Sequence, residues 1–394
     1  METIRWRHNL FWLWLTQTLS MMGISGIMPF IPIYIRDVFG IADEGMRGFC
    51  VSLFTFAGLA GLTVSAPIWG MLGDRYGRKL MLLRAYCGLG VTLPLLLAAP
   101  NIGLLIALRL LSSLFAGTVN AAQALAVTTT PERHHGLALG LLTSAMWGGN
   151  MIGYFAGGVV VERFGYFWTF TGCGALMLTA ALLTACFIRE SFVPPAPADR
   201  KRQKGRHVWN GAVWLLLASV FLLAVARRTD GPYLAMLVEV VNGTTRKAAY
   251  YTGIISGIAA LGGILAGAVV GWLCDRFSPF KVAVPLLLAS WAAAMTQAFA
   301  GSLAVLAIAR FSLFFAAGGL EPALMSRLAQ EVPPERRGTV FGLCASLRTG
   351  GVLAATVLSG ALFFWIGTRG VFLLGGMLFP LIVPLMFRLG RRRS

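Results

Sequence analysis

Two carboxylic acids, Asp230 and Glu321, lie inside long apolar stretches of this sequence. A carboxyl group that is removed from water can exchange a proton near neutral pH, because burial disfavours its charged form. Ionisable residues in such places face a cavity or pair with one another. Both acids are therefore candidates for carrying a proton. The alternative is a fixed ion pair, for example of Asp230 with Arg227 or Arg228.

Arginines outnumber the acids inside the apolar stretches by five to two, and guanidinium groups bind carboxylates and other anions. If several of them face a cavity, the excess of positive charge favours an anionic substrate. The fifth arginine, Arg109, is considered separately below. The residues that we predict to line a substrate cavity are Asn120, Gln123, Asn150, Arg227, Arg228, Arg310 and Arg348.

The sequence offers little for covalent catalysis or metal binding. It contains no nucleotide-binding loop and no Ser-His-Asp order, so we do not expect an enzyme, and we expect no cofactor. Its six cysteines are scattered without a CxxC pair, which supports neither a disulfide framework nor a metal site. The adjacent His134 and His135 could bind a metal, but the pattern favours solvated loop residues.

The composition places the chain in a membrane. Of its 394 residues, 57% are hydrophobic and 12% are charged, and the mean hydropathy is +0.75; globular chains carry about 25% charged residues. The net charge of +18 could suggest nucleic acid. The basic residues cluster in the gaps between apolar runs, however, which is the pattern of cytoplasmic loops. We therefore expect a lipid bilayer as partner and no nucleic acid.

A bilayer-spanning helix needs about 20 apolar residues, and the sequence supplies twelve such runs. We predict an all-α membrane protein of twelve transmembrane helices with both termini in the cytoplasm. Residues 36–47 form an external link of mixed charge between the first two runs. The predicted helices cover 10–35, 46–69, 80–99, 102–129, 137–161, 167–188, 208–238, 250–270, 282–299, 303–330, 340–365 and 371–387.

The chain repeats itself at an offset of about 200 residues. Asp74 and Asp275 are 201 positions apart, as are Arg109 and Arg310, and Pro-Glu-Arg recurs from Pro131 after 203. The only long hydrophilic interval, 189–207, contains prolines and a basic run, which is typical of a linker. We predict six-helix halves over 1–188 and 208–394, joined by a cytoplasmic linker over 189–207.

A compact charged turn separates the second and third apolar runs. Its sequence is Gly70-Met-Leu-Gly73-Asp74-Arg75-Tyr-Gly77-Arg78-Lys79. Gly70 and Gly73 allow two helix ends to approach closely, and Gly77 can adopt the left-handed conformation of a tight turn. Asp74 suits a helix N-terminus or a partner cation. The basic residues Arg75, Arg78 and Lys79 mark the cytoplasmic side.

This turn resembles the G-x-L-x-D-R-x-G-R-[RK] signature of the major facilitator superfamily. The resemblance implies two six-helix halves with a substrate site between them near the membrane midplane. It also implies that the charges around Asp74 hold one conformation of an alternating transport cycle. By the same resemblance, the helices that carry Asp230 and Glu321 line the cavity.

Two further segments resemble motifs of the drug/proton antiporters in this superfamily. Arg109 resembles the arginine that is tied to proton coupling in helix 4, although Ser112 and Ser113 replace the usual Gln-Gly; its alternative is a bond to helix carbonyls near the outer surface. The helix 5 glycines Gly149, Gly153, Gly157 and Gly158 match G-x-x-x-G-P-x-x-G-G, except that Tyr154 replaces the proline. We expect them to pack against a helix of the other half, where the halves rock; ordinary small-residue packing is the alternative.

Over nearly its whole length the chain is most similar to bacterial multidrug exporters of the MdtG type. That similarity implies proton-driven efflux of amphiphilic compounds across the bacterial inner membrane, with Asp230 or Glu321 carrying the proton and Arg109 in support. We expect a monomer whose energy source is the proton gradient. The alternative is an exporter of one anionic metabolite, such as a carboxylate siderophore or a lysophospholipid.

Overall fold

The computed structural model describes residues 6–190, 211–277, 279–332 and 337–391. Most of the predicted linker over 189–207, and the second Pro-Glu-Arg at 334–336, lie outside the described residues. The described α-helices are α1 Trp6–Ser25, α2 Ile31–Phe39, α3 Glu44–Tyr76, α4 Arg78–Leu95, α5 Ile102–Leu114, α6 Thr118–Thr129, α7 His135–Phe187, α8 Gly211–Arg228, α9 Leu234–Asn242, α10 Ala248–Arg276, α11 Pro279–Ala298, α12 Leu303–Gly318, α13 Leu320–Glu331 and α14 Arg337–Arg391.

Eight segments of the described chain are long and apolar enough to cross a membrane, by length and composition. Two of them, Glu132–Phe187 and Val340–Met386, are 56 and 47 residues long, whereas one crossing takes about 20 residues. Each contains two of the predicted spans. The shorter apolar helices Val282–Ala298 and Leu303–Gly318 supply the remaining two. The twelve predicted spans therefore all correspond to helices in the described part.

Single glycines divide the two longest helices. Gly165 in α7 has φ 79° and ψ −177°, and Gly367 in α14 has φ 60° and ψ −172°. This region of backbone space is essentially restricted to glycine, because any Cβ would clash there. A straight helix of the length of α7 would extend about 80 Å, far beyond a hydrocarbon core of about 30 Å. The chain therefore passes from one span to the next at each of these residues.

The chain forms two compact units. The first comprises Met1–Gly40, Leu53–Arg200 and Ala249–Gly257, and the second comprises Ile41–Ser52, Lys201–Ala248 and Ile258–Ser394. In the first unit α1 packs along α7, and in the second α8 packs along α14. The predicted division at 1–188, 189–207 and 208–394 stays a prediction.

The internal repeat extends to local structure. A 3₁₀ turn at Met28–Phe30 precedes the nine-residue α2, and another at Gly231–Tyr233 precedes the nine-residue α9. The side chains of Asn101 and Ser302, which are 201 positions apart, both cap a helix by accepting a bond from the backbone N–H three residues later. These caps satisfy amide groups that a helix start leaves free. The two halves are thus built alike at their helix breaks and helix starts.

The helix 5 glycines mostly do not pack as predicted. Gly149 and Gly153 face α1 of the same unit, and Gly157 faces Gly26 just after it. A Cβ built on Gly149 would lie 2.6 Å from the carbonyl oxygen of Thr18. A four-residue spacing keeps these three on one helix face. Gly158 lies on the next face and meets Gly253 of α10, within the first unit. The prediction of packing on the other half is therefore wrong for the first three glycines.

The predicted external link over 36–47 is also shorter than expected. α2 extends to Phe39 and α3 begins at Glu44. Arg47 lies inside α3 and is buried, with its guanidinium 2.9 Å from the carboxylate of Glu239. Hydropathy placed Arg47 where this link and the second apolar run overlap, because it could not show that an acid nearly two hundred residues later would neutralise the charge.

The tight α1–α7 contact leads to a prediction about Gly153. A Cβ there would lie 2.6 Å from the carbonyl oxygen of Met22, so Gly153→Val should force the helices apart. Overpacking of this kind costs about 1–3 kcal/mol or more. We expect a lower melting temperature and less monodisperse protein when the purified variant is analysed by size exclusion.

The matched control is Gly148→Val, since no described atom lies within 4 Å of a Cβ at Gly148. Equal stability of the two variants would contradict the close contact between α1 and α7.

Candidate functional site

A buried ion pair and one amide side chain connect the end of α8 with α11 and α12 in the second unit. Asp230 follows α8 at the helix break, and its carboxylate bonds the guanidinium of Arg310 on α12. The same guanidinium donates to the side-chain oxygen of Gln297 on α11 at 3.0 Å. Only 8% of the Asp230 side chain and 4% of the Arg310 side chain are exposed. The partner of Asp230 is thus Arg310, not the neighbouring Arg227 or Arg228.

A second charge cluster in this unit is more open. Glu321 at the start of α13 lies between two guanidinium groups, at 2.6 Å from Arg348 of α14 and 3.3 Å from Arg227 of α8. The side chains of Arg227, Glu321 and Arg348 are 23%, 28% and 54% exposed. Arg228, next to Arg227, is exposed as well. One carboxylate therefore lies between two guanidinium groups, with Arg228 as a further exposed cation beside Arg227 in sequence.

Arg109 stands apart from both clusters. It lies on α5 in the first unit, where its guanidinium stacks 5.2 Å above the ring of Phe54 and lies against Gly58. No carboxylate of the described residues forms an ion pair with Arg109. Arg310, the equivalent residue in the second half, forms an ion pair with Asp230. When the two helix breaks are aligned, the residue of the first half that corresponds to Asp230 is Ile27, which carries no charge. The predicted support of a proton carrier by Arg109 stays a prediction.

The turn of the family signature is narrower than its sequence suggests. α3 continues through Gly70 and Gly73 to Tyr76, so only Gly77, with φ 98°, separates it from α4. Gly73 is buried, and a Cβ there would lie 3.2 Å from Met81. No described atom lies within 4 Å of a Cβ at Gly70, so the predicted close approach does not hold there. The side chain of Asp74 lies outside the described part.

Glu190, which the sequence analysis did not select, caps the helix that follows this turn. Its two carboxylate oxygens accept hydrogen bonds from the backbone N–H groups of Arg78 and Lys79, at 2.9 and 2.8 Å. The Lys79 ammonium donates to the carbonyl of Ala185 in α7 at 2.9 Å, whereas Arg75 lies exposed above the ring of Tyr76. Gly77 has no side chain with which to cap α4. The negative charge that complements the start of α4 is therefore supplied by Glu190, which follows the end of α7.

The remaining candidates are dispersed. Asn120 and Gln123 lie on α6, exposed and half-buried respectively, and Asn150 is half-buried on α7. His134 stacks on the ring of Trp6, with 4.7 Å between ring centroids. His135 lies 2.9 Å from the carbonyl of Thr130. Within the described residues, no group of three or more His, Cys, Asp or Glu side chains could hold a metal ion.

Comparison with known proteins decides the family. A model described as "Major Facilitator Superfamily" matches residues 13–295 and 248–394, which together cover nearly the whole chain. The chain belongs to the major facilitator superfamily. It is therefore a membrane transporter that acts on small-molecule substrates, and not an enzyme.

Its curated relatives are drug pumps by name. The "Multi-drug resistance efflux pump PmrA homolog" of Lactococcus lactis is 29% identical over 384 residues, which are 97% of this chain and 94% of that protein. The "Multidrug resistance protein MdtG" of Yersinia enterocolitica is 29% identical over 376 residues, or 94% and 90% of the two chains. The resemblance to MdtG-type exporters noted in the sequence is thereby confirmed.

Solved structures confirm the fold of this superfamily. A bacterial homologue of the human lysosomal transporter Spinster, in an inward-facing and occupied conformation, superposes with a TM-score of 0.78 at 16% identity and covers 99% of this chain. The nucleoside transporter NupG gives a TM-score of 0.73 at 12% identity over 97% of the chain. Together with the helices described above, they confirm an all-α membrane protein of the major facilitator fold.

The cap of α4 leads to a second prediction. Glu190→Gln keeps one acceptor oxygen but loses the charge that complements the helix N-terminus, and charge-assisted bonds are worth about 1.5–3 kcal/mol. We expect a melting temperature several degrees lower and slower transport, because α4 directly follows the signature turn. Transport of a fluorescent substrate in vesicles and thermal unfolding would measure both.

The exposed Glu162 provides a matched control as Glu162→Gln. A Glu190→Gln protein that equals this control in stability and rate would show that the cap is dispensable.

Proposed function

We propose that this transporter exports amphiphilic drugs or related small molecules by alternating access, driven by the proton gradient. The observation that carries the proposal is the similarity to named multidrug efflux proteins over 94–97% of the chain. The family signature at Gly70–Lys79 and the internal repeat at about 200 residues support it. The names of these relatives do not favour the alternative, export of one specific anionic metabolite.

The proton requires a titratable group within the membrane-spanning part, and Asp230 and Glu321 are the two carboxylates that the sequence analysis selected. Asp230 lies where the seventh span is broken by a 3₁₀ turn, and broken helices are where many transporters place ion sites. Protonation of Asp230 would dissolve its charge pair with Arg310. Glu321 is more accessible to water, but it is bonded to two arginines. We assign the proton to one of these two acids, with Arg109 in a supporting role.

We also propose the membrane location, the topology and the oligomeric state of the protein. The basic loops and the bacterial relatives support a place in the inner membrane, with both termini and the linker over 189–207 in the cytoplasm. The protein would act as a monomer, because both six-helix halves are present in one chain.

Neutralising each acid separately tests the proposed function. We expect either Asp230→Asn or Glu321→Gln to bind ethidium normally but to lose proton-driven accumulation of ethidium in inverted vesicles, down to the level of empty vesicles. Asp230→Asn would leave Arg310 buried without its counter-charge, which costs about 3–5 kcal/mol. Asp230→Asn should therefore also be assayed together with Arg310→Gln, which removes the stranded charge.

Glu132→Gln, at an exposed position before the predicted span over 137–161, serves as the control and should transport normally. Full gradient-driven transport by both acid variants would rule out proton coupling through Asp230 or Glu321.

A further inference from the structure

We propose that the open cluster around Glu321 is a subsite for the acidic group of an amphiphilic substrate, a carboxylate or a phosphate. In this assignment Glu321 is the resident counter-ion of the subsite. The inference rests on the proposed function, because it names the substrate chemistry that one part of the export site recognises.

The first argument is the charge balance of the cluster. The pair of Asp230 and Arg310 is neutral and sealed from solvent. The cluster around Glu321 holds one carboxylate against Arg227 and Arg348, so its net charge is +1. Each of the two bonded guanidiniums uses one terminal nitrogen on Glu321, whereas a guanidinium has five N–H donors arranged as a fork. Donors and positive charge are thus left for a ligand.

The second argument is depth. Arg348 lies eleven residues from the first residue of α14, which corresponds to about 16 Å along the helix axis. Glu321 lies ten residues from the end of α13, or about 15 Å. Both values fall near the middle of a hydrocarbon core of about 30 Å. A guanidinium that is 54% exposed at that depth has to face water or a ligand, because hydrocarbon does not accommodate it.

The third argument is the geometry of recognition. Arg227 and Arg348 come from α8 and α14 and converge on one carboxylate from α13. A carboxylate or phosphate accepts this kind of charge-assisted bond well, and guanidinium groups are suited to both. Glu321 shows which chemical group the two guanidiniums hold. An acidic substrate would bind there in its place or beside it.

This assignment also separates the roles of the two acids. An exporter that exchanges substrate for protons needs the substrate and the proton to exclude each other. At the open cluster an acidic ligand and a proton on Glu321 would instead favour each other. A protonated Glu321 no longer competes with the ligand for the two guanidiniums, and a bound ligand takes up the charges that keep Glu321 ionised. The proton of the proposed cycle therefore falls to Asp230, and Glu321 keeps Arg227 and Arg348 in position.

The test uses the purified full-length protein and three fluorescent probes with one common body: dansylated undecanoic acid, its primary amide and the corresponding primary amine. Wild-type protein should bind the acid about tenfold more tightly than the amide, as expected for one charge-assisted bond gained. The amine should bind no better than the amide. Equal affinities for the acid and the amide would overturn the proposal.

Variants locate the effect. Arg348→Gln should abolish the preference for the acid without weakening amide binding, and Arg348→Lys should restore part of it. Glu321→Gln should tighten acid binding, because the resident competitor is gone; a merely structural role of Glu321 would not produce that gain. The exposed Arg246→Gln is the control and should match the wild type. A preference that survives Arg348→Gln, or weaker acid binding in Glu321→Gln, would overturn the assignment.

Ethidium, which has no acidic group, distinguishes the subsite from the proposed function. If ethidium accumulates under a proton gradient while the acid preference is absent, the subsite is wrong and export stands. If the acid preference and its response to Arg348→Gln are present without gradient-driven accumulation, the subsite stands and the proposed function fails.

Discussion

A charge within the hydrocarbon of a bilayer needs a counter-charge or water, and this requirement organises the polar interior of the second unit. Asp230 and Arg310 meet it by pairing one to one, with Gln297 taking a further guanidinium bond and solvent excluded. The cluster around Glu321 meets it differently, because its surplus positive charge stays accessible. A sealed neutral pair and an open positive cluster are suited to different tasks, although each is built from arginines and a carboxylate.

The same requirement applies to the backbone, whose amide groups find no water in the bilayer core. Where α5 gives way to α6, Trp69 donates to the carbonyl of Leu114 at 2.7 Å and Arg84 donates to that of Ala116 at 3.3 Å. The Arg84 guanidinium also stacks 3.8 Å above the Trp69 ring. Glu190 likewise serves the free amides at the start of α4. Breaks in the spans are thus permitted where another helix supplies the missing partner.

The fold was predictable from the sequence because it depends on local quantities. Apolar length located all twelve spans, and the spacing of Arg109 and Arg310 revealed the repeat. The partners were not predictable, since they depend on which helix faces which. For an ion pair of Asp230 the sequence suggested only its neighbours Arg227 and Arg228 as examples, although the partner is 80 residues away. Arg47 was missed for the same reason. Glu190 was detectable in principle, as an acid placed where a helix ends beside a basic turn.

The single-glycine junctions of α7 and α14 have a consequence for biosynthesis. Gly165 and Gly367 leave only a short turn between the two spans that each joins, with Glu162 and Arg163 beside the first and Arg369 beside the second. A growing chain therefore has only a few polar residues there to pass through the translocon. Because the turns are so short, we expect the two helices of each pair to enter the lipid together, as one hairpin.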